Sequence, residues 1–303
     1  MKTSDLFDSR KTAGLLAGFG LSAVAAAASL EDLETKMNIE FAVVEGVSLK
    51  LDAMVPKSKG PHPAIVYVHG GGFTGGDKKD YDRSATTPLI EKGFGVISVN
   101  YRLAPKYPFP AATDDVESAL HYIKTHSQDL NIDPDRLVLM GASAGGHLVS
   151  FVGVKHRPEN RVAAVVSFFG EHDIVARTAE NPCIMDGKIV PVSHGGCLSP
   201  GLAAFLGISE VSDQTARIIK EASPVTYVNH DMPPYLLIHG TRDFNVPFDQ
   251  SLIMSDAMMK VEADCTVLPV IGAGHGGFEK TPAMREYKKK MIDWILAHTQ
   301  QGR

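Results

Sequence analysis

The chain has 303 residues, of which 44% are hydrophobic and 21% charged, and its formal net charge is -5. These shares are typical of a globular protein that buries a core, and the mild acidity says little about a substrate. No long basic run is present, so nucleic acid is not expected as a partner.

The first 28 residues differ from the rest of the chain. Lys2, Arg10 and Lys11 precede an apolar stretch at 13–28 that ends in three alanines. A basic start, a short apolar segment and a small-residue end are typical of a secretory signal peptide. We therefore expect residues 1–28 to be a signal peptide and the protein to be periplasmic or secreted. It would be cytoplasmic if this segment is an uncleaved amphipathic helix. The stretch is too short and too rich in Gly and Ala to favour a transmembrane span.

Residues 33–303 are expected to form one α/β domain, because no repeat or low-complexity linker divides them. Short apolar runs alternate with helical stretches, a rhythm that predicts a mostly parallel central sheet with helices on both faces. The predicted strands are 64–69, 95–100, 136–141, 162–169, 235–239 and 265–270. The predicted helices are 111–125, 144–154, 249–261 and 282–298.

The region 174–215 does not follow this rhythm, since it contains Gly, Pro and Ser and shows weak periodicity. It is interpreted either as a small lid-like insertion over the sheet or as a long crossover with a surface helix. Cys183 and Cys197 lie in it and could form a disulfide if the protein is exported. Cys265 is expected to be a buried strand residue. No pair of cysteines has the spacing of a zinc or redox site.

The segment Gly-Ala-Ser-Ala-Gly at 141–145 matches the pattern G-x-S-x-G, which by itself is a weak signal. Its context strengthens it, because an apolar run at 137–140 precedes it and the predicted helix 144–154 follows. Ser143 would then occupy the sharp strand-to-helix turn that exposes a nucleophile, where glycines tolerate strained backbone angles. Ser143 is the predicted nucleophile, and a plain glycine-rich turn is the alternative.

A second glycine-rich turn, His-Gly-Gly-Gly-Phe at 69–73, follows the first predicted strand. Backbone N–H groups must reach the oxyanion of a tetrahedral intermediate, and glycine lets the backbone approach closely. We expect an oxyanion hole formed by the N–H groups of Gly71, Gly72 and Ala144. The alternative is a phosphate site, but no G-K-[ST] sequence follows and Asp77 would repel a phosphate.

Two residues downstream of Ser143 complete a triad in the chain order typical of this arrangement. Asp243 and His275 each lie in a glycine-bearing loop directly after a predicted strand. The carboxyl ends of such strands form the usual site of an open α/β sheet. His275 is the predicted general base, and Asp243 the acid that orients it.

Several further polar side chains are expected to serve the fold. Asp249, the nearest rival acid, is predicted to open or cap the helix at 249–261. The others are predicted to brace the oxyanion loop, to end a strand, to lie within helices or to form an ion pair: His69, His239, His147, His298, Arg102 and Asp115.

Together these motifs resemble those of the α/β-hydrolase esterases related to hormone-sensitive lipase, and among them the bacterial BD-FAE type. The resemblance extends from about residue 41 to the C-terminus and departs near 174–215. It is carried by the segments 69–73, 76–78, 100–105, 107–111, 114–116, 133–136, 141–148, 223–225, 240–243 and 272–275. It implies an α/β-hydrolase fold and activity on acetyl or feruloyl esters linked to plant polysaccharide.

Two departures from the hormone-sensitive-lipase pattern favour the smaller polysaccharide-type esterases over lipases. Ala142 stands where an acidic residue usually precedes the serine, and there is little room for an N-terminal helical cap. The region 174–215 is also too polar and too short to predict a large apolar lid.

The sequence therefore predicts a serine carboxylesterase that acts on a small or polysaccharide-linked ester and requires no metal and no other cofactor. An arylformamidase-like amidase is the first alternative, because the same triad can cleave an ester bond or an amide bond. A peptidase of the prolyl-oligopeptidase type is a weaker form of this alternative, because such a peptidase normally brings a further large domain that this sequence does not predict. A non-catalytic binding protein on the same fold is the alternative from another class. Acyl length and oligomeric state are not predicted.

Overall fold

A central sheet dominates the computed structural model, which describes residues 30–155, 157–179, 183–185, 188–190, 198–278, 280 and 282–300. The predicted signal peptide, 1–28, and Cys197 of the possible disulfide lie outside these residues. The strands are β1 (Leu33–Val44), β2 (Val47–Pro56), β3 (His62–Val68), β4 (Gly95–Val99), β5 (Ile132–Ala142), β6 (Ala164–Phe168), β7 (Cys183–Met185), β8 (Lys188–Val190), β9 (Tyr235–Gly240) and β10 (Cys265–Val270).

Helices connect most of these strands. They are α1 (Arg83–Ile90), α2 (Ala111–Thr125), α3 (Ala144–Val154), α4 (Ile174–Thr178), α5 (Pro200–Leu206), α6 (Ala216–Glu221), α7 (Asp249–Lys260) and α8 (Pro282–Thr299). None of the helices in the described residues combines the length and the apolarity that a membrane crossing requires.

The order of strands across the main sheet is β1-β2-β4-β3-β5-β6-β9-β10. Neighbours among β4, β3, β5, β6, β9 and β10 pair in parallel, whereas β1 and β2 form an antiparallel hairpin whose second strand pairs antiparallel to β4. This mostly parallel sheet confirms the predicted fold class. Neither strand of the β1–β2 hairpin was predicted, because much of β1 is exposed and Lys50 and Asp52 interrupt the apolar residues of β2.

Two apolar clusters lie on the two faces of the sheet. One contains Val116, Leu148 and Met254 from α2, α3 and α7, and the other contains Leu89 and Met291 from α1 and α8. Helices therefore cover both faces, as the alternation of apolar and helical segments predicts.

The boundaries of the predicted elements agree closely with the observed ones. Helices α2 and α3 have the predicted ends, and α7 and α8 each differ by one residue. The largest difference is at β5, which begins at Ile132. The expectation that Cys265 is buried was wrong. This residue is only partly buried, because β10 is the last strand of the sheet.

The region 174–215 contains α4, the β7–β8 hairpin and α5. Ile174, Leu202 and Phe205 are buried in the cluster that also contains α2 and α3. The described parts of this region therefore pack onto the same face of the domain, and a role as a lid stays a prediction.

Candidate active site

Ser143 lies at the turn between β5 and α3 in a strained conformation, with φ 56° and ψ -120°. Its N–H donates to the carbonyl of Phe168 at 2.9 Å, and its carbonyl accepts from the N–H of His147 at 3.0 Å. These backbone bonds fix a geometry that a non-glycine residue rarely adopts. The turn thereby holds the serine side chain at the carboxyl end of the sheet, as the G-x-S-x-G pattern predicts.

Glycine is required on both sides of this turn because it packs directly against other backbone. A Cβ atom at Gly145 would lie 2.6 Å from the carbonyl oxygen of His69, and one at Gly141 would lie 2.6 Å from the carbonyl carbon of Gly145. The two glycines let α3 begin against the end of β3. Any side chain there would displace Ser143.

The structure brings Ser143, His275 and Asp243 together. His275 Nε2 lies 2.9 Å from Ser143 Oγ, and His275 Nδ1 lies 2.8 Å from Asp243 Oδ2. The Asp243 side chain is fully buried, whereas that of His275 is 21% exposed. These are the distances over which a histidine can take a proton from a serine while a carboxylate orients it.

Asp243 is surrounded by hydrogen-bond donors. Its Oδ1 accepts from the N–H groups of Asn245 at 2.9 Å and Val246 at 3.0 Å, and His239 Nε2 lies 3.4 Å from Oδ2. Burial alone would raise the pKa of Asp243, but the contacts with His239, His275 and Val246 hold this pKa well below its usual range. The carboxylate therefore stays ionised. Because sequence reasoning gave His239 only a structural role, it missed this contact.

The predicted oxyanion donors lie beside the nucleophile. Gly71, Gly72 and Ala144 line the same cleft as Ser143. Gly71 has φ +117°, and a Cβ atom there would collide with the backbone of Gly75, so this tight turn needs glycine. Gly72 has φ +58° with open space around it. Donation of these N–H groups to an oxyanion stays a prediction.

Three of the other polar residues, His69, Arg102 and Asp115, form contacts of the expected structural kind. The ring of His69 stacks on Tyr101 with centroids 4.3 Å apart, and Tyr101 donates its hydroxyl to the His69 carbonyl at 3.0 Å. Burial lowers the pKa of His69, which favours a neutral ring that braces the loop. Arg102 and Asp115 form a buried ion pair near the start of α2, in which Arg102 Nη2 lies 2.8 Å from Asp115 Oδ1.

The remaining polar residues singled out in the sequence lie in helices. Asp249 is the first residue of α7, and no side chain caps that helix. His298 stacks on Trp294 in α8. His147 is buried in α3 and packs edge-on against Phe73.

The triad opens onto a cleft of about 510 Å³. Its described lining combines the nucleophile turn and the oxyanion loop with residues that the sequence did not indicate. Those missed residues are Phe169, Glu171, Arg177, Ser199, Pro200, Gly201, Leu202, Asn245 and Val246. Many of them come from the region without periodicity, where no sequence signal marks which side chains face a cavity.

The strained turn at Ser143 and a triad in the chain order Ser143, Asp243, His275, at the carboxyl edge of this sheet, place the protein among the α/β-hydrolases. Comparison with known families makes the assignment narrower. The family model described as BD-FAE matches residues 51–258, so the chain belongs to that family.

Named relatives agree with this assignment. A probable carboxylic ester hydrolase, LipM, of Mycobacterium tuberculosis is 28% identical over 67% of this chain and 46% of its own length. The esterase LipQ of the same organism is 26% identical over 74% of this chain and 52% of its own. The chain thus spans about half the length of the curated relatives it matches.

Solved structures of similar fold are also esterases. A truncated carbohydrate esterase from gut microbiota superposes with a TM-score of 0.73 at 25% identity, covering 91% of this chain and all of its own. An esterase of Thermogutta terrifontis superposes with a TM-score of 0.66 at 22% identity, covering 90% of this chain and 96% of its own. At this identity the likeness supports the fold and nothing further.

Proposed function

We propose that this protein is a serine carboxylesterase that cleaves short-chain or aromatic acyl esters, acetyl and feruloyl groups among them. The observation that carries the proposal is the hydrogen-bonded series Ser143–His275–Asp243, with steps of 2.9 and 2.8 Å, at the edge of an open cleft. Membership of a family whose named relatives are carboxylic ester hydrolases supports the same chemistry.

In the first half of the reaction, Ser143 Oγ attacks the carbonyl carbon of the ester while its proton passes to His275 Nε2. The negative charge that develops on the carbonyl oxygen is held by the N–H groups of Gly71, Gly72 and Ala144. Collapse of this intermediate breaks the ester bond, and the leaving alcohol takes the proton from His275. Asp243 stabilises the positively charged imidazole in between.

In the second half, a water molecule attacks the acyl group that is now bound to Ser143. His275 accepts a proton from this water and then returns it to Ser143 Oγ as the acid leaves. No redox change occurs and no cofactor takes part, because the protein's own donors and base supply every proton transfer.

The lining of the cleft supports small, aromatic or polar substrates. Phe73, Phe169, Leu202 and Val246 offer apolar and aromatic surface for an acyl group. A charged pair on the same lining favours a polar group over a long alkyl chain beside it, because an alkyl chain offers the pair no hydrogen bond. The similarity to a carbohydrate esterase supports a sugar-linked ester as substrate.

Hydrolysis of p-nitrophenyl esters from acetate to palmitate, and of methyl ferulate, tests this function in wild type and in Ser143→Ala. We expect fast turnover of acetate or ferulate that is lost in the variant. A preference for palmitate would contradict the proposed acyl range. No turnover of any ester by folded wild type would contradict the esterase function, and formyl amides would then test the amidase alternative.

We also propose that the protein is exported after cleavage near residue 28. The basic start and the small residues 26–28 support this proposal. N-terminal sequencing of the mature protein from a periplasmic or medium fraction of the producing cells tests it. An intact first residue in a cytoplasmic fraction would contradict it.

A further inference from the structure

A charged pair forms part of the cleft lining, which is otherwise largely apolar. Glu171 and Arg177 both line the cleft, and Arg177 Nε lies 3.5 Å from Glu171 Oε1. Their side chains are 9% and 2% exposed, respectively. Burying two charges carries a large desolvation cost, so this pair is not a neutral choice for a wall that apolar residues could form. Of the two side chains, that of Glu171 is the more exposed.

The backbone that carries this pair is held firmly. The side-chain oxygen of Gln250 accepts from the N–H groups of His172 at 2.9 Å and Asp173 at 2.8 Å. Asp173 in turn caps α4 by accepting from the N–H of Ala176 at 3.0 Å. The segment that joins Glu171 to Arg177 is therefore fixed at several points, which holds the backbone beside the carboxylate in place before a substrate binds.

Two further bonds connect this segment to the triad. His147 Nδ1 donates to the carbonyl of Glu171 at 2.9 Å, and His147 lies one turn after Ser143 in α3. Burial lowers the pKa of His147 to about 4, so its ring stays a neutral donor. Arg177 Nη2 donates at 2.9 Å to the carbonyl of Asn245, in the loop that carries the triad acid. The charged pair thus has a fixed position relative to the reacting atoms.

We propose that Glu171 is a specificity-determining residue that accepts a hydrogen bond from a hydroxyl group on the alcohol part of the ester, and that Arg177 positions it. The substrate class is then an ester of a polyhydric alcohol, such as a partly acylated sugar. This inference rests on the proposed esterase function and names the part of the substrate that the cleft selects.

The chemistry of the pair favours a hydroxyl donor over other groups. An ionised carboxylate only accepts hydrogen bonds, so it binds a hydroxyl, repels an anion and is desolvated at a cost by a methyl group. A site that hydrogen-bonds a substrate hydroxyl disfavours the analogue that lacks it, because that analogue gives the carboxylate no hydrogen bond. Arg177 keeps the carboxylate oriented on the lining.

The test compares 2-hydroxyethyl acetate with propyl acetate, which differ by a hydroxyl in place of a methyl group of similar size. We expect wild type to prefer the hydroxy ester by about tenfold or more in kcat/KM. In the double variant Glu171→Leu/Arg177→Met, which removes both charges together, this ratio should fall to about 1. The loss should lie mainly in KM for the hydroxy ester, because the hydrogen bond forms in the bound substrate.

A matched control removes another ion pair at the opposite end of β5. Arg136 Nε lies 2.6 Å from Asp133 Oδ2, and both side chains are partly buried. The variant Asp133→Leu/Arg136→Met should keep the wild-type preference. Glu171→Gln provides a second test should the double variant fail to fold: it keeps the size of the side chain but weakens the acceptor, so the ratio should fall several-fold.

The outcomes separate this inference from the proposed function. Turnover of p-nitrophenyl acetate by wild type without a preference for the hydroxy ester would overturn the role of Glu171 and leave the esterase function standing. A preference that persists in the Glu171 variants would also overturn it. If wild type hydrolyses neither p-nitrophenyl acetate nor the hydroxy ester, both the function and the inference are wrong.

Discussion

The turn that carries Ser143 and the wall that carries Glu171 border one cleft, but they are built in different ways. The turn is a continuous strand–turn–helix segment held by backbone contacts, some too close for any residue but glycine. The wall is assembled from separate parts of the chain and held by side chains such as Gln250, His147 and Arg177. Backbone geometry therefore holds the proposed nucleophile, whereas side-chain contacts hold the wall that we propose to select the substrate.

The largest effect should come from the turn itself. Ser143→Ala removes the nucleophile, so kcat for p-nitrophenyl acetate should fall by roughly 10⁴-fold or more, with residual activity from the oxyanion donors. Initial rates at saturating ester measure this. Retention of more than a tenth of the wild-type rate would mean that another residue attacks the ester.

The next largest loss of activity should come from Asp243, and it distinguishes this acid from Asp249, the other candidate in the sequence. Asp243→Asn should lower kcat by roughly 10⁴-fold, because an amide favours the wrong tautomer of His275. Asp249→Asn is the matched control, since Asp249 is exposed at the start of α7, and it should change kcat less than twofold. Equal losses in the two variants would contradict the assignment of the acid.

A pair of glycine substitutions tests the oxyanion loop. Gly71→Ala forces a Cβ atom into the backbone of Gly75, so it should displace the donors and lower kcat by roughly 10²- to 10³-fold. Gly72→Ala meets open space and adds only backbone strain, so its effect should be smaller. Circular dichroism checks folding in both variants. A larger loss in Gly72→Ala would contradict the proposed role of the loop's shape.

The smallest effect is on stability and concerns His147, which lies in α3 after Ser143 and donates a hydrogen bond to the Glu171 carbonyl. Its pKa is lowered to about 4 in the folded state, below the ordinary 6.5, so the unfolded chain binds the proton first as pH falls. The stabilisation is complete above about pH 6.5 and is lost as pH falls towards 4. Between pH 7.5 and 5.0, wild type should lose about 2 kcal/mol more unfolding free energy than His147→Gln.

Urea unfolding at the two pH values measures this difference. His172, whose pKa burial lowers to about 3, contributes in the same direction and remains in the variant. His230→Gln, which removes an exposed histidine, is the control for the substitution itself. Identical pH dependence in His147→Gln and wild type would show that His147 does not stay neutral in the folded protein.

The contrast between the regions also explains what the sequence could predict. The positions of Ser143, Asp243 and His275 follow from short motifs placed directly after strands, and the structure brings all three together. The parallel strands follow from short apolar runs, because both of their faces are buried. These signals are local, so a few neighbouring residues contain them.

The remaining features depend on contacts that no local pattern contains. The hairpin β1–β2 lies at the edge of the sheet and much of β1 faces solvent, which removes the apolar signal. Glu171 lines the cleft because Gln250, which lies 78 and 77 positions along the chain from His172 and Asp173, fixes the backbone of these two residues. Likewise, the contact of His239 with Asp243 depends on how the loop after β9 folds back.

An organophosphate ester that reacts with an activated serine can label the nucleophile, and peptide mass spectrometry then locates the adduct. We expect one phosphorylated peptide modified at Ser143, loss of activity in proportion to labelling, and no adduct on this peptide in Ser143→Ala. Labelling of a different residue in step with the loss of activity would contradict Ser143 as the group that attacks the ester.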